Sequence, residues 1–224
     1  MPAKKKSEPA RKRILIVDDH PMMRQGLAQL INSEPDLAVV CEANDAGQAL
    51  DLVSREKFEL VLVDISLPGR NGLELIKDIR TLAPDVLILV VSMHDESLYA
   101  ERVLRAGGRG YIMKQEGGKK LMAAVRQVLD GKIYVSEKMS ARILEIFSGR
   151  RSETSPMEKL SDREFEVFQL IGQGKGTRDI ADHLHLSVKT VEVHRANIKQ
   201  KLNLKSATDL VRQAVRWAEA QGAS

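Results

Sequence analysis

The chain is poor in three things, and each narrows what it can be. Its 224 residues include a single cysteine, Cys41. One thiol closes no internal disulfide. Its place in the apolar run Leu37 to Cys41 reads as a small core residue in a reducing compartment, with nothing to recommend a redox role. Aromatic residues are sparse at 4 %, although the apolar content of 43 % is normal for a globular chain. No apolar stretch approaches the roughly 20 residues of a membrane-spanning helix. The N-terminus is basic but lacks the apolar core of a signal peptide. There is no internal repeat and no long low-complexity segment. A cytoplasmic chain with no membrane role is expected, as one large domain or two small ones.

What charge there is lies unevenly. Residues 1–13 carry Lys4, Lys5, Lys6, Arg11, Lys12 and Arg13 against Glu8. With Pro2 and Pro9 among them, residues 1–12 read as a disordered tail. From Ile14 to Arg150 acids outnumber bases; from Arg151 onward bases slightly exceed acids and concentrate around Lys189, Arg195, Lys199, Lys201 and Lys205. An acidic half joined to a half with a basic stripe suggests a regulatory module linked to a nucleic-acid module.

The acidic half holds the most informative pattern. Ile14-Leu15-Ile16-Val17 runs into Asp18-Asp19, and Leu60-Val61-Leu62-Val63 into Asp64. Leu87 to Val91 runs into Ser92, and Tyr111-Ile112-Met113 into Lys114. Continuous apolar runs of this length suit strands buried on both faces of a parallel sheet, and such sheets bind ligands at the carboxyl ends of their strands. The polar residues should therefore converge on one crevice. Clustered carboxylates repel unless a cation joins them, and hard oxygen ligands suit Mg2+. Carboxylates, a metal, a hydroxyl and a lysine together can hold a phosphoryl group.

Helical segments alternate with these runs. Pro21–Asn32 leads to a strand over residues 37–42, Asp45 caps a helix over 46–56, and Asn71-Gly72 opens one over 73–82. A strand over 86–91, a helix over 95–106 ending at Gly107-Gly108, a strand over 110–113 and a helix over 118–129 closed by Gly131 complete the series. The expected fold is α/β, a doubly wound five-stranded parallel sheet. A helix over 136–148, with Met139, Ile143, Ile146 and Phe147 on one face, leads to a flexible linker ending near Pro156. Residues 132–159 are thus assigned to the linker and its helix.

On these residues, 13–131 resemble the receiver domain of two-component response regulators, of flavodoxin-like topology. The match rests on Asp18-Asp19, Asp64 followed by Leu67-Pro68-Gly69 and Asn71-Gly72, Ser92, Tyr111 and Lys114, in that order. The resemblance implies that Asp64 takes a phosphoryl group from a sensor histidine kinase. It implies that Asp18, Asp19, Asp64 and the backbone carbonyl of Ser66 hold Mg2+. Lys114 and Ser92 would contact the phosphoryl oxygens, and Tyr111 would follow Ser92 inward as a switch. The chemistry would be confined to the chain's own phosphoryl transfer and dephosphorylation, with no separate substrate. A haloacid-dehalogenase-type phosphatase also places an aspartate after a buried strand, but needs a second one two residues later, where this chain has Ser66. Two local features depart from the commonest receiver pattern: Gln115 follows Lys114 where many receivers have proline, and Met93 follows Ser92. His94 reads as a surface residue at a helix start.

Residues 160–220 read as an all-α unit of four helices. Ser161 and Glu164 form a capping box, Thr177 caps the second helix and Ser187 the third. The third runs to about Lys201, with Val191, His194, Ile198 and Leu202 inward and Lys189, Glu192, Val193, Ala196, Asn197 and Gln200 outward. Helix, tight turn and basic second helix make a helix-turn-helix, whose second helix enters the major groove. Arg195 and Lys199 flank the outward face within reach of phosphates. Leu160-Ser161-Asp162-Arg163-Glu164, Ile180-Ala181, Ser187 to Arg195 and Leu202 to Ser206 resemble the LuxR-type DNA-binding domain. The resemblance implies contact with double-stranded DNA through Lys189, Thr190, Glu192, Val193, Arg195, Ala196, Asn197, Lys199 and Gln200. Receiver plus LuxR-type domain is the NarL/FixJ architecture of transcriptional regulators. Phosphorylation is expected to change the receiver and promote a homodimer competent for DNA, with Leu210, Val211 and Ala214 of the last helix as its contact. The alternative is a phosphorylation-dependent switch whose helical module binds a protein. Gly172 to Thr177 reads as a helix–helix turn rather than a phosphate loop, because a helix precedes it. His183 and His185 point apart and suit ordinary roles rather than metal binding.

Overall fold

The computed structural model describes residues 11–147 and 156–222. The tail 1–10 and the linker stretch 148–155 lie outside these residues. Two compact units divide the chain, Met1–Ile143 and Leu144–Ser224.

In the first unit, five strands form one parallel sheet: β1 (Lys12–Val17), β2 (Leu37–Ala43), β3 (Leu60–Val63), β4 (Leu87–Ser92) and β5 (Gly110–Met113). Their order is β2-β1-β3-β4-β5. The order reverses between β1 and β3, and that switch point opens a crevice at the carboxyl ends of both strands. The expected sheet is therefore present. Residues alternate between its faces. Ile14, Ile16, Leu60, Leu62, Leu89, Val91 and Ile112 pack with Leu27 and Ile31 of α1 (Pro21–Asn32) and with Leu121, Ala124, Val125 and Val128 of α5 (Gly118–Leu129). Leu15, Val17, Val61, Val63, Ile88 and Val90 are buried on the other face. Helices α2 (Ala46–Arg55), α3 (Gly72–Leu82) and α4 (Glu96–Ala106) connect the strands on that side. Each buried aliphatic side chain contributes about 1.5–3 kcal/mol, which is why β1 from Ile14 on, β3, and β4 up to Ser92 carry apolar residues alone.

The caps place the helices. Asp45, Asn71 and Asp95 each accept a backbone N–H of the first turn, from Gln48 at 2.9 Å, Leu73 at 2.7 Å and Ser97 at 2.8 Å. Gly72 has a separate reason. A Cβ there would lie 2.2 Å from the Asp64 carbonyl oxygen and 2.7 Å from Ile65 Cα. Only glycine lets α3 press against the backbone that carries Asp64.

Cys41 is half-buried rather than in the core. It lies on β2, the edge strand, where covering is partial, and its Sγ sits 3.8 Å from Glu56 Oε1. The chain after α5 is not free linker at its start. Tyr134 pairs with Gly110 in an isolated parallel bridge, with Tyr111 N–H donating to Tyr134 O at 2.9 Å and Tyr134 N–H to Arg109 O at 3.0 Å. Helix α6 (Glu137–Phe147) then begins against α4: Ser136 N–H donates to Glu96 Oε1 and Arg142 Nη1 to Ser97 O, and Met139 is buried. The side chains of Ile146 and Phe147, expected on the same face as Met139, lie outside the described ones.

The second unit holds a short 3-10 turn (Pro156–Lys159) and then α7 (Asp162–Gly172), α8 (Thr177–His183), α9 (Val188–Lys201) and α10 (Ala207–Gly222). Phe165 and Phe168 meet the Trp217 ring edge-on, at 5.6 and 5.7 Å. The Ser161–Glu164 capping box forms as expected. Thr177 does not cap α8: Gly176 takes the cap position, and Asp179 accepts its N–H at 3.1 Å, so Thr177 is the first helical residue. Gly172 to Thr177 is the turn between α7 and α8. His185 closes α8 in the left-handed region, φ 52°, with Leu186 N–H on Ala181 O at 2.8 Å. That places Ser187 to accept the Thr190 N–H at 3.0 Å and start α9.

Candidate functional site

The first site lies where β1 and β3 part. Asp18 follows β1, Asp64 follows β3, both buried, and Lys114 follows β5. Lys114 Nζ lies 2.7 Å from Asp18 Oδ2 and 2.7 Å from Asp64 Oδ2, with all three side chains no more than 3 % exposed. Ser66 N–H donates to the other oxygen of Asp64 at 3.3 Å. Asp18, Asp19, His20 and Asp64 each offer a ligand atom, all within 4.8 Å of one another. Of the expected residues, Asp18, Asp19, Asp64, Ser66 and Lys114 therefore meet. Ser92, fully buried at the end of β4, accepts the His94 N–H at 3.3 Å.

The electrostatics are those of a charged group held in a dry place. Burial pushes the Asp64 carboxyl above its usual range, and Lys114 only partly offsets this. For Lys114, burial acts downward, but Asp64 and Asp18 together overcome it and raise its pKa. Asp19 Oδ1 is a buried atom without a hydrogen bond among the described residues. It lies 2.6 Å from His20 Nδ1, while Asp18 Oδ2 is held 2.7 Å from the Lys114 ammonium. A buried oxygen left without a hydrogen bond costs free energy that a hard cation recovers. The donor set, all oxygen apart from an exposed imidazole, fits Mg2+.

Three residues stand differently from the expectations. His94 is not at the open surface: it is half-buried, its Nε2 lies 2.9 Å from Ser66 Oγ, and its ring sits 4.7 Å from that of Tyr99. It thus ties the loop after β4 to the loop after β3, beside Asp64. No local pattern announces this, because the partner is 28 residues away. His20 was also passed over, although it follows the acidic pair directly; its backbone N–H donates to Asp18 Oδ1 at 2.9 Å. Tyr111, expected to move inward, is already buried, and its hydroxyl donates to His94 O at 2.8 Å. Burial raises its pKa, so it remains a neutral phenol.

The second site is the outward face of α9. Lys189, Glu192, Val193, Ala196 and Gln200 are exposed; Thr190, Arg195, Asn197 and Lys199 are half-buried. Val191 and Ile198 pack inward, as expected, with His194 and Leu202 partly covered. The Thr190 hydroxyl already lies 2.7 Å from Ser187 Oγ at the cap. The helix is held by Lys201, whose Nζ meets Glu164 Oε2 of α7 at 2.6 Å. Nearby, Arg163 binds Glu166 at 2.7 Å and the Leu184 carbonyl at 2.9 Å, fixing the end of α8. On α10 the expected dimer stripe is mostly spent elsewhere. Leu210 and Ala214 are fully buried in the unit's own core, because α10 packs on α7 so closely that a Cβ at Gly172 would lie 2.6 Å from Ala214 O. Only Val211, 40 % exposed, remains available.

Comparisons with known proteins cover both units. Residues 14–126 match the response regulator receiver domain, and residues 158–214 match the bacterial regulatory proteins of the luxR family. The chain belongs to the NarL family of two-component response regulators: it is a phosphorylation-controlled DNA-binding response regulator. It is 38 % identical over 210 residues to the oxygen regulatory protein NreC of Staphylococcus haemolyticus, covering 91 % of this chain and 97 % of that one. A LuxR-family two-component response regulator from Aurantimonas sp. SI85-9A1 is 35 % identical with a TM-score of 0.57, covering 62 % of this chain and 99 % of that one. The response regulator RcsB in complex with DNA is 26 % identical with a TM-score of 0.56, over 90 % of this chain and 96 % of that one. The luxR-family match favours DNA over a protein as the target of the helical module. Among the described residues no helix is long and apolar enough to cross a membrane.

Proposed function

We propose that this protein is a cytoplasmic transcription regulator that a sensor histidine kinase switches by phosphorylating Asp64. The observation that carries the reading is the Asp64 carboxylate, buried at a strand end with Lys114 on one oxygen and the Ser66 N–H on the other. A carboxylate so fixed needs positioning and charge stabilisation, not further activation. One Asp64 oxygen attacks phosphorus, the phosphorus–nitrogen bond of the donor phosphohistidine breaks, and the imidazole leaves with its electron pair. Lys114 holds the transferred oxygens, and the Ser92 hydroxyl gains a partner in the phosphorylated state. Asp18, Asp19, Asp64 and the Ser66 carbonyl would hold Mg2+, which when bound would neutralise the carboxylates and the phosphoryl oxygens. The same pocket then serves the chain's own dephosphorylation.

Tyr111 links this chemistry to the rest of the unit. Its hydroxyl is on His94 and its backbone N–H on Tyr134, so a shift of Ser92 and His94 reaches the segment leading to α6. Phosphorylation promotes a homodimer, with Val211 the part of the α10 stripe left for it, and the dimer places two α9 helices in successive major grooves. Lys189, Glu192, Val193, Ala196 and Gln200 meet base edges there; Thr190, Arg195, Asn197 and Lys199 position the backbone.

Asp64→Asn tests the acceptor. The amide keeps the volume and removes the nucleophile, so intact-mass analysis after treatment with a small phosphodonor should show no added phosphoryl group and an unchanged fold. Undiminished labelling of the variant refutes the assignment.

A further inference from the structure

Glu192 is the one acidic residue of α9, against Lys189, Arg195, Lys199 and Lys201. Its side chain is exposed, and no hydrogen bond or ion pair involves it among the described residues. Acids around it are used differently: Glu164 holds Lys201, Glu166 holds Arg163, and Asp209 holds the Ser206 hydroxyl. Lys189 and Arg195, three residues to either side, are in reach of Glu192, yet neither is paired with it. Glu192 also lies in the N-terminal half of the helix, the part that meets base edges in a helix-turn-helix. Its neighbours on the outward face, Val193 and Ala196, are short, so the helix can approach closely.

A carboxylate brought between two phosphate backbones is repelled by both. It is tolerated there only if a donor faces it. Of the four base edges in the major groove, guanine and thymine offer acceptors, adenine offers a donor beside an acceptor, and cytosine offers only its amino donor. We propose that Glu192 reads a cytosine in each operator half-site, accepting a hydrogen bond from its N4 amino group. The repulsion then becomes selectivity, because guanine and thymine meet the carboxylate with acceptors and adenine sets its N7 acceptor beside its donor. This inference rests on the reading of α9 as the DNA-contacting helix.

The test is selection from random-sequence duplex DNA by the phosphorylated full-length chain. Wild type should select a motif with one cytosine per half-site that depends on Glu192. In Glu192→Ala, preference at that position should fall by roughly 5- to 150-fold, the equivalent of about 1–3 kcal/mol, with the other positions unchanged. Glu192→Gln should move the preference there to adenine, and Glu192→Lys to guanine. If Glu192→Ala keeps the motif and only binds all sequences more tightly with a steeper salt dependence, the carboxylate merely repels phosphates and the inference is overturned. A changed position that is not cytosine in wild type overturns it too. Wild type selecting no duplex overturns the DNA reading and this inference together; a wild-type motif insensitive to Glu192 overturns the inference alone.

Discussion

The acidic pocket and the outward face of α9 use similar residues under opposite conditions. Lys114 is enclosed with Asp18 and Asp64, each side chain no more than 3 % exposed. On α9, Lys189 and Glu192 are exposed and without a partner among the described residues, and Val193 is 52 % exposed. The pocket's electrostatics are built by folding, before any phosphodonor arrives. Those of α9 are completed only by the molecule it meets. A charge removed from the first should be felt in stability, and a charge removed from the second only in binding.

Two lysines give the widest expected contrast. Lys114→Met leaves two buried carboxylates without their cation and should cost about 3–5 kcal/mol, the usual price of breaking a buried pair. Mg2+ should restore part of this loss. Lys199→Ala should change stability by no more than about 0.5 kcal/mol. It should instead weaken binding to all duplexes alike and lower the salt slope by about one. Urea unfolding and DNA titration at several salt concentrations check both. Similar stability losses in the two variants would break the comparison.

Two glycines sharpen it further. Gly72→Ala forces a methyl group against the Asp64 carbonyl and should cost about 1–3 kcal/mol or more, as overpacking does. Phosphorylation should slow as well, because the backbone of the acceptor must move. Gly26→Ala, within α1 with nothing inside 4 Å of the added carbon, should stabilise by about 0.5–1 kcal/mol. The two variants thus differ in sign although the chemical change is the same. Equal effects on unfolding would show that the pocket's backbone is looser than the contacts imply.

On the DNA side, Val193→Arg should leave stability alone and change the selected operator. An apolar contact is exchanged for a bidentate donor that favours guanine, and each wrong base costs about 1–3 kcal/mol. An unchanged consensus would remove Val193 from the base-reading face.

How far the sequence disclosed all this follows the same division. The sheet was legible because Ile14–Val17 of β1, all of β3, and β4 up to Ser92 are continuously apolar, a pattern that burial on both faces imposes. Asp18, Asp64, Ser92 and Lys114 were legible because each ends such a run or follows it. His94 and Tyr134 were not, since their contacts, to Ser66 and to Gly110, join segments that no periodicity connects. Cys41 was misplaced because an edge strand has the composition of a core strand without its covering. Leu210 and Ala214 misled for a related reason. A helical stripe declares that it packs, not against what, and here α7 takes it.

The smallest effect lies where the two conditions meet, at the pair that anchors α9. Burial acts to raise the Glu164 pKa, but the Lys201 ammonium at 2.6 Å and the Ser161 N–H at 2.8 Å outweigh it and hold the carboxyl below its usual range. A lowered folded pKa binds protons less readily than the unfolded chain does. Its stabilisation is therefore complete above the ordinary glutamate value of about 4.3 and is lost as pH falls through the lower folded value. Trp217 is the single tryptophan and sits against Phe165 and Phe168, so its fluorescence reports the unfolding of this unit alone. Glu164→Gln should lose stability at neutral pH and converge toward wild type as the solution is acidified below that value. Lys201→Met should shrink the pH-dependent difference, because it removes the cation but leaves the Ser161 cap. A constant gap between wild type and Glu164→Gln from neutral to acid would show that the charge of Glu164 contributes nothing, and that α9 is anchored by packing alone.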